Sequence, residues 1–195
     1  MVDISFVDIS KVNKLQPKKG RLLLAEPFMI DDHFSRSVIY LCEHNEDGSY
    51  GFILNNMLNL KIDEIITDKN LPPLDVYYGG PVHSTSLFYL HQYGDIINDS
   101  IQITNDIWTG GDFNQLVEFI HMEIVNPSKI KFFLGYSGWS KKQLIGEIKS
   151  NSWIISTHKN EDIFQNNEDF WKSILENKGG KYKAIANFPL NPSDN

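Results

Sequence analysis

The chain has 195 residues, a formal net charge of −7, 41% hydrophobic and 22% charged residues, and a single cysteine. This length and composition predict one globular domain with a buried core, and no apolar run approaches the roughly 20 residues that cross a bilayer. The negative charge argues against broad contact with nucleic-acid phosphates. A lone cysteine cannot form an intramolecular disulfide, so a reducing cytoplasmic setting is predicted.

Residues 1–19 are predicted to form an N-terminal tail ahead of a domain that covers residues 20–195. The first 21 residues carry five basic and two acidic side chains, so their formal charge is +3 and that of the remaining chain is −10. A short basic arm of this kind suits an acidic partner, although a solvated lead-in accounts for the same residues.

The first predicted elements are a strand and a β-hairpin. Leu22–Ala25 is wholly apolar, which is typical of a strand buried on both faces, and Pro27 stops it. Residues 36–56 are predicted to form a β-hairpin. An apolar run leads into a polar turn at 45–48, and a second apolar run follows it at Phe52, Ile53 and Leu54.

The rest of the chain mixes strands and helices. Further strands are predicted at 76–78, 86–91, 101–104, 131–134 and Trp153–Ser156. Helices are predicted at 60–66, 112–124 with Asp112 as the N-cap, 141–149 and 168–177. Because several strands are joined by short turns, we expect an α+β fold. It should be a single domain with a mixed, largely antiparallel sheet and flanking helices.

The sharpest chemical candidate is the pair Cys42 and His44. Residues two apart on a strand share a face, and a nearby imidazolium lowers the pKa of a thiol. The pair therefore predicts a catalytic dyad in a thiol-dependent enzyme or redox sensor. The alternative is that Cys42 is a small buried hydrophobe and His44 a turn residue that bonds to the backbone.

Two glycine-containing segments are the candidate binding pockets. One contains Gly79 and Gly80, and the other is a predicted turn made of Gly135, Tyr136, Ser137, Gly138 and Trp139. The second precedes a predicted helix, where backbone N–H groups can bind an anion, but neither matches a phosphate-loop or dinucleotide motif. The alternative is that these glycines only permit a positive φ or a close backbone approach.

Neither a metal nor a cofactor is predicted. The six histidines are scattered, with no His-x-x-x-His or Cys-x-x-Cys pair among them.

Several motifs, taken in order, resemble those of the AlgH/YqgE family. They are GRLLLAEP at 20–27, FSRSV at 34–38, CEHNEDG at 42–48, GFILN at 51–55, YGGPV at 78–82, FLGYSGW at 133–139, QL at 143–144, NSW at 151–153 and FPLNP at 188–192. The sequence departs from the family pattern at Ser140, where glycine is usual, and at Ile145, where an acidic residue is usual. Any role that depends on that acid is in doubt here.

This resemblance implies a small cytoplasmic bacterial protein with one α+β domain. The family name derives from regulation of alginate production, and many members are labelled transcriptional regulators. The sequence, however, shows no helix-turn-helix, and the predicted helix at 112–124 is acidic, so direct DNA binding is not expected. We expect a non-enzymatic regulatory protein that binds a small molecule or a protein partner, and the thiol-dependent enzyme is the alternative.

Overall fold

The computed structural model describes residues 15–29 and 31–187. Within these residues the chain forms ten strands and six α-helices. The strands are β1 (Leu22–Ala25), β2 (Val38–His44), β3 (Gly48–Ile53), β4 (Met57–Lys61), β5 (Asp75–Tyr78), β6 (Val82–His91), β7 (Ile101–Thr104), β8 (Ile107–Thr109), β9 (Ile130–Ser140) and β10 (Trp153–Ser156). The helices are α1 (Ile62–Ile65), α2 (Phe113–His121), α3 (Gln143–Lys149), α4 (Asn160–Phe164), α5 (Phe170–Lys178) and α6 (Lys181–Ala186).

The strands form one open sheet in the order β10-β1-β2-β3-β9-β6-β8-β7, and β5 adds to β9 with β4 outside it. The long strand β9 joins the two halves, because its first part pairs with β6 and β5 and its last part pairs with β3. Among the described pairs, β5 with β9 is parallel and the others are antiparallel. The predicted α+β domain with a largely antiparallel sheet is therefore confirmed.

The sheet curls until its two ends approach each other. Lys19 Nζ, just before β1, donates to Gln102 O in β7 at 2.6 Å. The close approach requires glycine at position 20, since a Cβ there would lie 2.5 Å from the Thr104 side chain and the backbone has φ +81°. The end of the predicted tail is thus docked on the domain, whereas residues 1–14 and the motif at 188–192 lie outside the described residues.

Three apolar clusters hold the domain together. The first runs along one face of the sheet, from Leu22 in β1 to Ile107 in β8, and includes α5 residues such as Trp171. The second packs α1 and α2 on the opposite face of the β5–β9–β6 half, and the third packs α3 on the opposite face of the β1–β2–β3 half. Strand β1 and the first five residues of β2 are buried on both faces, which is why they form continuous apolar runs in the sequence.

Most of the predicted elements are present, with two corrections. The helix predicted at 112–124 begins as expected, because Asp112 caps it through Asn114 N at 2.9 Å, but it ends at His121. Glu123 has φ +57°, so the chain turns there, and Ile124, the last residue of the predicted helix, is 53% exposed. The second correction concerns 135–139, which is part of strand β9 and not a turn. The sequence interpretation missed β4, β8, α4 and α6.

Candidate functional site

A largely apolar concavity lies beside the β2–β3 hairpin, where β3, β9 and the ends of β6, β7 and β8 meet. It is a cleft of about 700 Å³. Its lining residues are Glu43, Asn45, Asp47, Gly48, Ser49, Tyr50, Phe52, Val82, Phe88, Ile101, Thr109, Gly110, Tyr136, Gly138 and Trp139. We refer to it as the aromatic cleft.

Four aromatic rings form one wall of the aromatic cleft. The Tyr136 ring centroid lies 5.6 Å from that of Phe88 and 5.9 Å from that of Tyr50, in edge-to-face arrangements. Phe52 closes the set, at 5.8 Å from Phe88 and 6.1 Å from Tyr50. Phe52 is buried, whereas the other three rings are half-buried and present apolar surface to the cleft. Edge-to-face packing fixes these rings to one another, so the wall is preorganised.

The aromatic wall continues inward to a buried lysine. Phe52 stacks on Phe133 at 4.6 Å, Phe133 contacts Tyr77 at 6.1 Å, and the Lys131 ammonium lies 3.9 Å from the centre of the Tyr77 ring. Lys131 Nζ also donates to Gln165 O at 3.0 Å. Burial lowers the pKa of Lys131 to about 7, and the charge of Asp75 opposes this shift only in part.

The mouth of the cleft is polar and acidic. Glu43 and Asp47 are exposed on the hairpin, and Asn45 shapes the turn by accepting from Asp47 N at 2.8 Å and donating to Glu43 at 2.6 Å. On the far side, Ile101 is 61% exposed at the edge of β7. An apolar floor with a few polar groups at the rim is typical of sites for small organic ligands.

A buried histidine supports the far wall at Gly110. His91 Nε2 lies 2.9 Å from Gly110 O, and Tyr93 N donates to His91 Nδ1 at 3.1 Å. These partners require the neutral imidazole with its proton on Nε2. Burial lowers the pKa of His91, with an opposing contribution from its bond to Gly110.

The predicted glycine sites divide between the cleft and the backbone beneath it. Tyr136, Gly138 and Trp139 line the aromatic cleft. The other candidates, which do not line it, are Gly79, Gly80, Gly135 and Ser137. They lie where the end of β5 passes against β9, and a Cβ on Gly79 would be 2.2 Å from Gly135 O.

Ser137 is fully buried at this crossing, and its hydroxyl donates to Gly79 O at 3.1 Å. These glycines thus permit a close approach of two backbones.

The structure separates Cys42 from His44. Leu41 pairs with Gly51 and Glu43 with Tyr50, so Cys42 is the extra residue of a β-bulge. The bulge reverses the alternation: Cys42 joins the first apolar cluster, while His44 lies opposite Ser49 on the other face and bonds to its hydroxyl at 2.7 Å. The expectation that the two side chains share a face is therefore wrong.

The surroundings of Cys42 are those of a core residue. Its side chain is 3% exposed, and Sγ lies 3.6 Å from Tyr40 O. Burial raises the pKa of the Cys42 thiol well above its usual value, and the charge of Lys19 offsets this only in part. The thiolate needed for nucleophilic chemistry is thus disfavoured.

The face that carries His44 has a carboxylate network that the sequence interpretation missed. Glu147 Oε2 accepts from the indole nitrogens of Trp139 and Trp153, each at 2.8 Å, and Oε1 accepts from Gln143 Nε2 at 3.0 Å. The helical spacing of Gln143 and Glu147 was a usable signal for their contact. The tryptophans could not be assigned to it, because they come from β9 and β10.

Two further observations concern the described part of the chain. Within it, no three His, Cys, Asp or Glu side chains lie close enough together to hold a metal ion. Nor does it contain a helix with the length and apolarity required to cross a membrane.

Comparisons with known proteins identify the family. The AlgH-like family model matches residues 22–183. A UPF0301 protein of Cytophaga hutchinsonii is 40% identical over 176 residues, which cover 89% of this chain and 97% of that protein. A UPF0301 protein of Bacteroides fragilis is 41% identical over 194 residues, covering 96% and 97%.

Solved structures agree with this match. The solution structure of the AlgH protein from Pseudomonas aeruginosa has a TM-score of 0.69 and 26% identity, and covers 90% of this chain and 98% of that one. The crystal structure of protein DIP2367 from Corynebacterium diphtheriae has a TM-score of 0.74 at 22% identity, covers 89% and 94%, and shows the same fold. The resemblance seen in the sequence motifs is confirmed, and the chain belongs to the AlgH-like family.

Proposed function

We propose that the chain is a non-enzymatic cytoplasmic binding protein that takes a small apolar or aromatic molecule into the aromatic cleft. The observation that carries this proposal is the preorganised wall of Tyr50, Phe88 and Tyr136 inside a concavity of about 700 Å³. Ligand sites commonly measure about 300–1,000 Å³ and combine apolar walls with few polar groups. The cleft meets both conditions.

The chemistry around the cleft favours binding over catalysis. A thiol-dependent reaction needs an accessible thiolate beside a base, whereas Cys42 is buried and the bulge turns His44 to the opposite face. Burial raises the pKa of Tyr50, with smaller contributions from Cys42 and Glu43, so its hydroxyl stays neutral and can donate a hydrogen bond to a ligand.

A regulatory role would act through this ligand or through a protein partner. The acidic mouth, with Glu43 and Asp47, repels a phosphate backbone, and the net charge of −7 adds to that repulsion. Direct DNA contact is therefore not part of the proposal.

The test compares two exposed isoleucines. Ile101 lines the cleft and Ile124 does not, and their exposed fractions of 61% and 53% make glutamate equally tolerable at both. With the neutral dye Nile red as the probe, we expect saturable fluorescence. Ile101→Glu should weaken dye binding roughly tenfold or more. The bound dye would remove water from the new carboxylate, and this desolvation costs about 1.4 kcal/mol or more.

Ile124→Glu is the matched control and should bind the dye within about twofold of the wild type. Equal weakening by both substitutions, or fluorescence that does not saturate, would contradict the proposed function.

A further inference from the structure

A second, smaller cavity lies under the segment that leads into β2 and shares no lining residue with the aromatic cleft. Its volume is about 190 Å³. We call it the polar pocket. Its lining comes from the 32–37 segment, from Asn55 and Asn56 after β3, and from the start of α5.

The segment that forms the polar pocket is held in a fixed shape around Ser37. Asn55 bridges both neighbours of Ser37, because its Nδ2 donates to Arg36 O at 3.0 Å and its Oδ1 accepts from Val38 N at 2.8 Å. Ser37 N donates to Phe34 O at 3.0 Å, and Ser37 O accepts from Ala25 N at 3.0 Å. The backbone of Ser37 is thus fully bonded.

The side-chain hydroxyl of Ser37 differs from its backbone groups in its hydrogen bonding. Ser37 is 3% exposed and lines the polar pocket, and its Oγ makes no hydrogen bond within the described chain. A buried hydroxyl without a partner costs on the order of 1–3 kcal/mol. Such a group inside a preformed cavity points to a polar ligand that would supply the partner.

Arg36 and the N-terminus of α5 both contribute positive charge to the polar pocket. The Arg36 guanidinium carbon lies 5.2 Å from the centre of the Trp171 ring, and Trp171 is itself fixed by donating to Ala25 O at 2.8 Å. Trp171 and Lys172 also belong to the first turn of the nine-residue helix α5, whose N-cap Asp169 makes no side-chain capping bond. The N–H groups of this turn and the helix dipole favour a negative group there.

The rim of the polar pocket is acidic. Asp32, Glu168 and Asp169 line it and are exposed. A phosphate dianion at Arg36 would face these three carboxylates. A ligand with one anionic and one cationic group instead satisfies both parts of the lining, since its ammonium can face the rim.

We propose that the polar pocket binds a small zwitterion of the amino-acid type, with its carboxylate at Arg36 and Ser37 and its ammonium toward the acidic rim. This site is separate from the aromatic cleft in position and in chemistry. Its volume admits a ligand the size of serine or alanine.

The experiment measures binding of size-matched probes by saturation-transfer NMR and by thermal shift on the full chain. L-alanine and L-serine carry both charges, propionate carries the anion alone, and ethanolamine carries the cation alone. We expect the two amino acids to bind saturably and at least about fivefold more tightly than propionate or ethanolamine. Propionate binding as tightly as alanine, or no saturable binding of either amino acid, would overturn the proposal.

Two variants locate the site. Ser37→Ala removes a hydroxyl that bonds to nothing in the described protein, so it should leave the melting temperature unchanged or raised while weakening L-serine about fivefold or more. Arg36→Gln should weaken L-serine binding about tenfold or more. Arg21→Gln changes the only other arginine in the sequence and should leave L-serine binding unchanged. Unchanged L-serine affinity in the Ser37→Ala variant would overturn the assignment.

Discussion

The aromatic cleft and the polar pocket lie in one domain but are built by opposite means. The cleft is walled by rings that belong to the apolar core, such as Phe52, which stacks on Phe133 at 4.6 Å. The pocket is shaped by hydrogen bonds to backbone, with Asn55 clamping Arg36 and Val38. The cleft wall is therefore coupled to the stability of the whole fold, whereas the 32–37 segment of the pocket takes its shape from hydrogen bonds to one amide side chain.

The two sites should therefore respond differently to mutation. Removal of the buried Phe52 ring creates a cavity in the core and lowers global stability, because core packing does not relax fully. Damage to the pocket removes individual hydrogen bonds, which contribute less to stability but set the local shape.

The largest effect is expected at Phe52. This side chain is 1% exposed and contacts Phe88 on the cleft side and Phe133 on the core side. Phe52→Ala should lower the free energy of unfolding by about 3–5 kcal/mol, measured by urea titration. A loss below about 1 kcal/mol would show that the cleft wall is independent of the core.

Lys131, at the inner end of the aromatic wall, predicts a pH effect. Its pKa is about 7 in the folded protein against 10.5 ordinarily. Between these values the unfolded chain holds a proton that the folded chain lacks, so stability rises with pH by at most about 1.4 kcal/mol per unit. Below about pH 7, Lys131 is protonated in both the folded and the unfolded chain, so the folded protein carries the full free-energy cost of burying its charge.

Lys131→Met should therefore be more stable than the wild type at about pH 6.5, and its advantage should shrink by about pH 9.5. Taking the difference between the two proteins cancels the titration of groups that do not contact Lys131. Urea titrations at several pH values measure it. A difference that stays constant with pH would mean that Lys131 keeps an ordinary pKa in the fold.

A smaller loss is expected in the polar pocket. Asn55→Ala leaves Val38 N and Arg36 O without the partners they have at 2.8 and 3.0 Å. The free energy of unfolding should fall by about 1–3 kcal/mol, and L-serine binding should weaken while Nile red binding stays unchanged. Asn56→Ala, at an exposed residue of the same lining, is the control and should have little effect on stability. An equal loss of L-serine binding and Nile red binding in Asn55→Ala would contradict the proposal that the two sites are separate.

The sequence predicts local elements better than it predicts either site. The hairpin, the apolar strand β1 and the Asp112 cap follow from alternation, apolar runs and capping chemistry, which are short-range. The bulge at Cys42 depends on the register between β2 and β3, which no sequence pattern within β2 reveals. This bulge places Cys42 and His44 on opposite faces. The predicted turn at 135–139 failed because its glycines serve a backbone crossing.

The two sites also depend on distant parts of the chain. The aromatic cleft combines the hairpin with β6, β7, β8 and β9. Of its lining residues, the sequence analysis predicted only Tyr136, Gly138 and Trp139, from the glycine-containing segment at 135–139. In the polar pocket, Ser37 carries a signal only once its burial and missing partner are known. Tertiary contacts bring Trp171 and Arg36 together, and spacing in the sequence does not reveal them.

The most direct test of the cleft as a ligand site is a ¹H–¹⁵N NMR titration of the wild-type protein with Nile red and, separately, with L-serine. We predict that the dye shifts the amide signals of Tyr136, Gly138 and Gly110, around the aromatic cleft, and leaves those of Ser37 and Asn55 in place. L-serine should do the reverse. Dye-induced shifts that are absent from the cleft, or spread evenly over the surface, would contradict the central claim that this concavity is the site of binding.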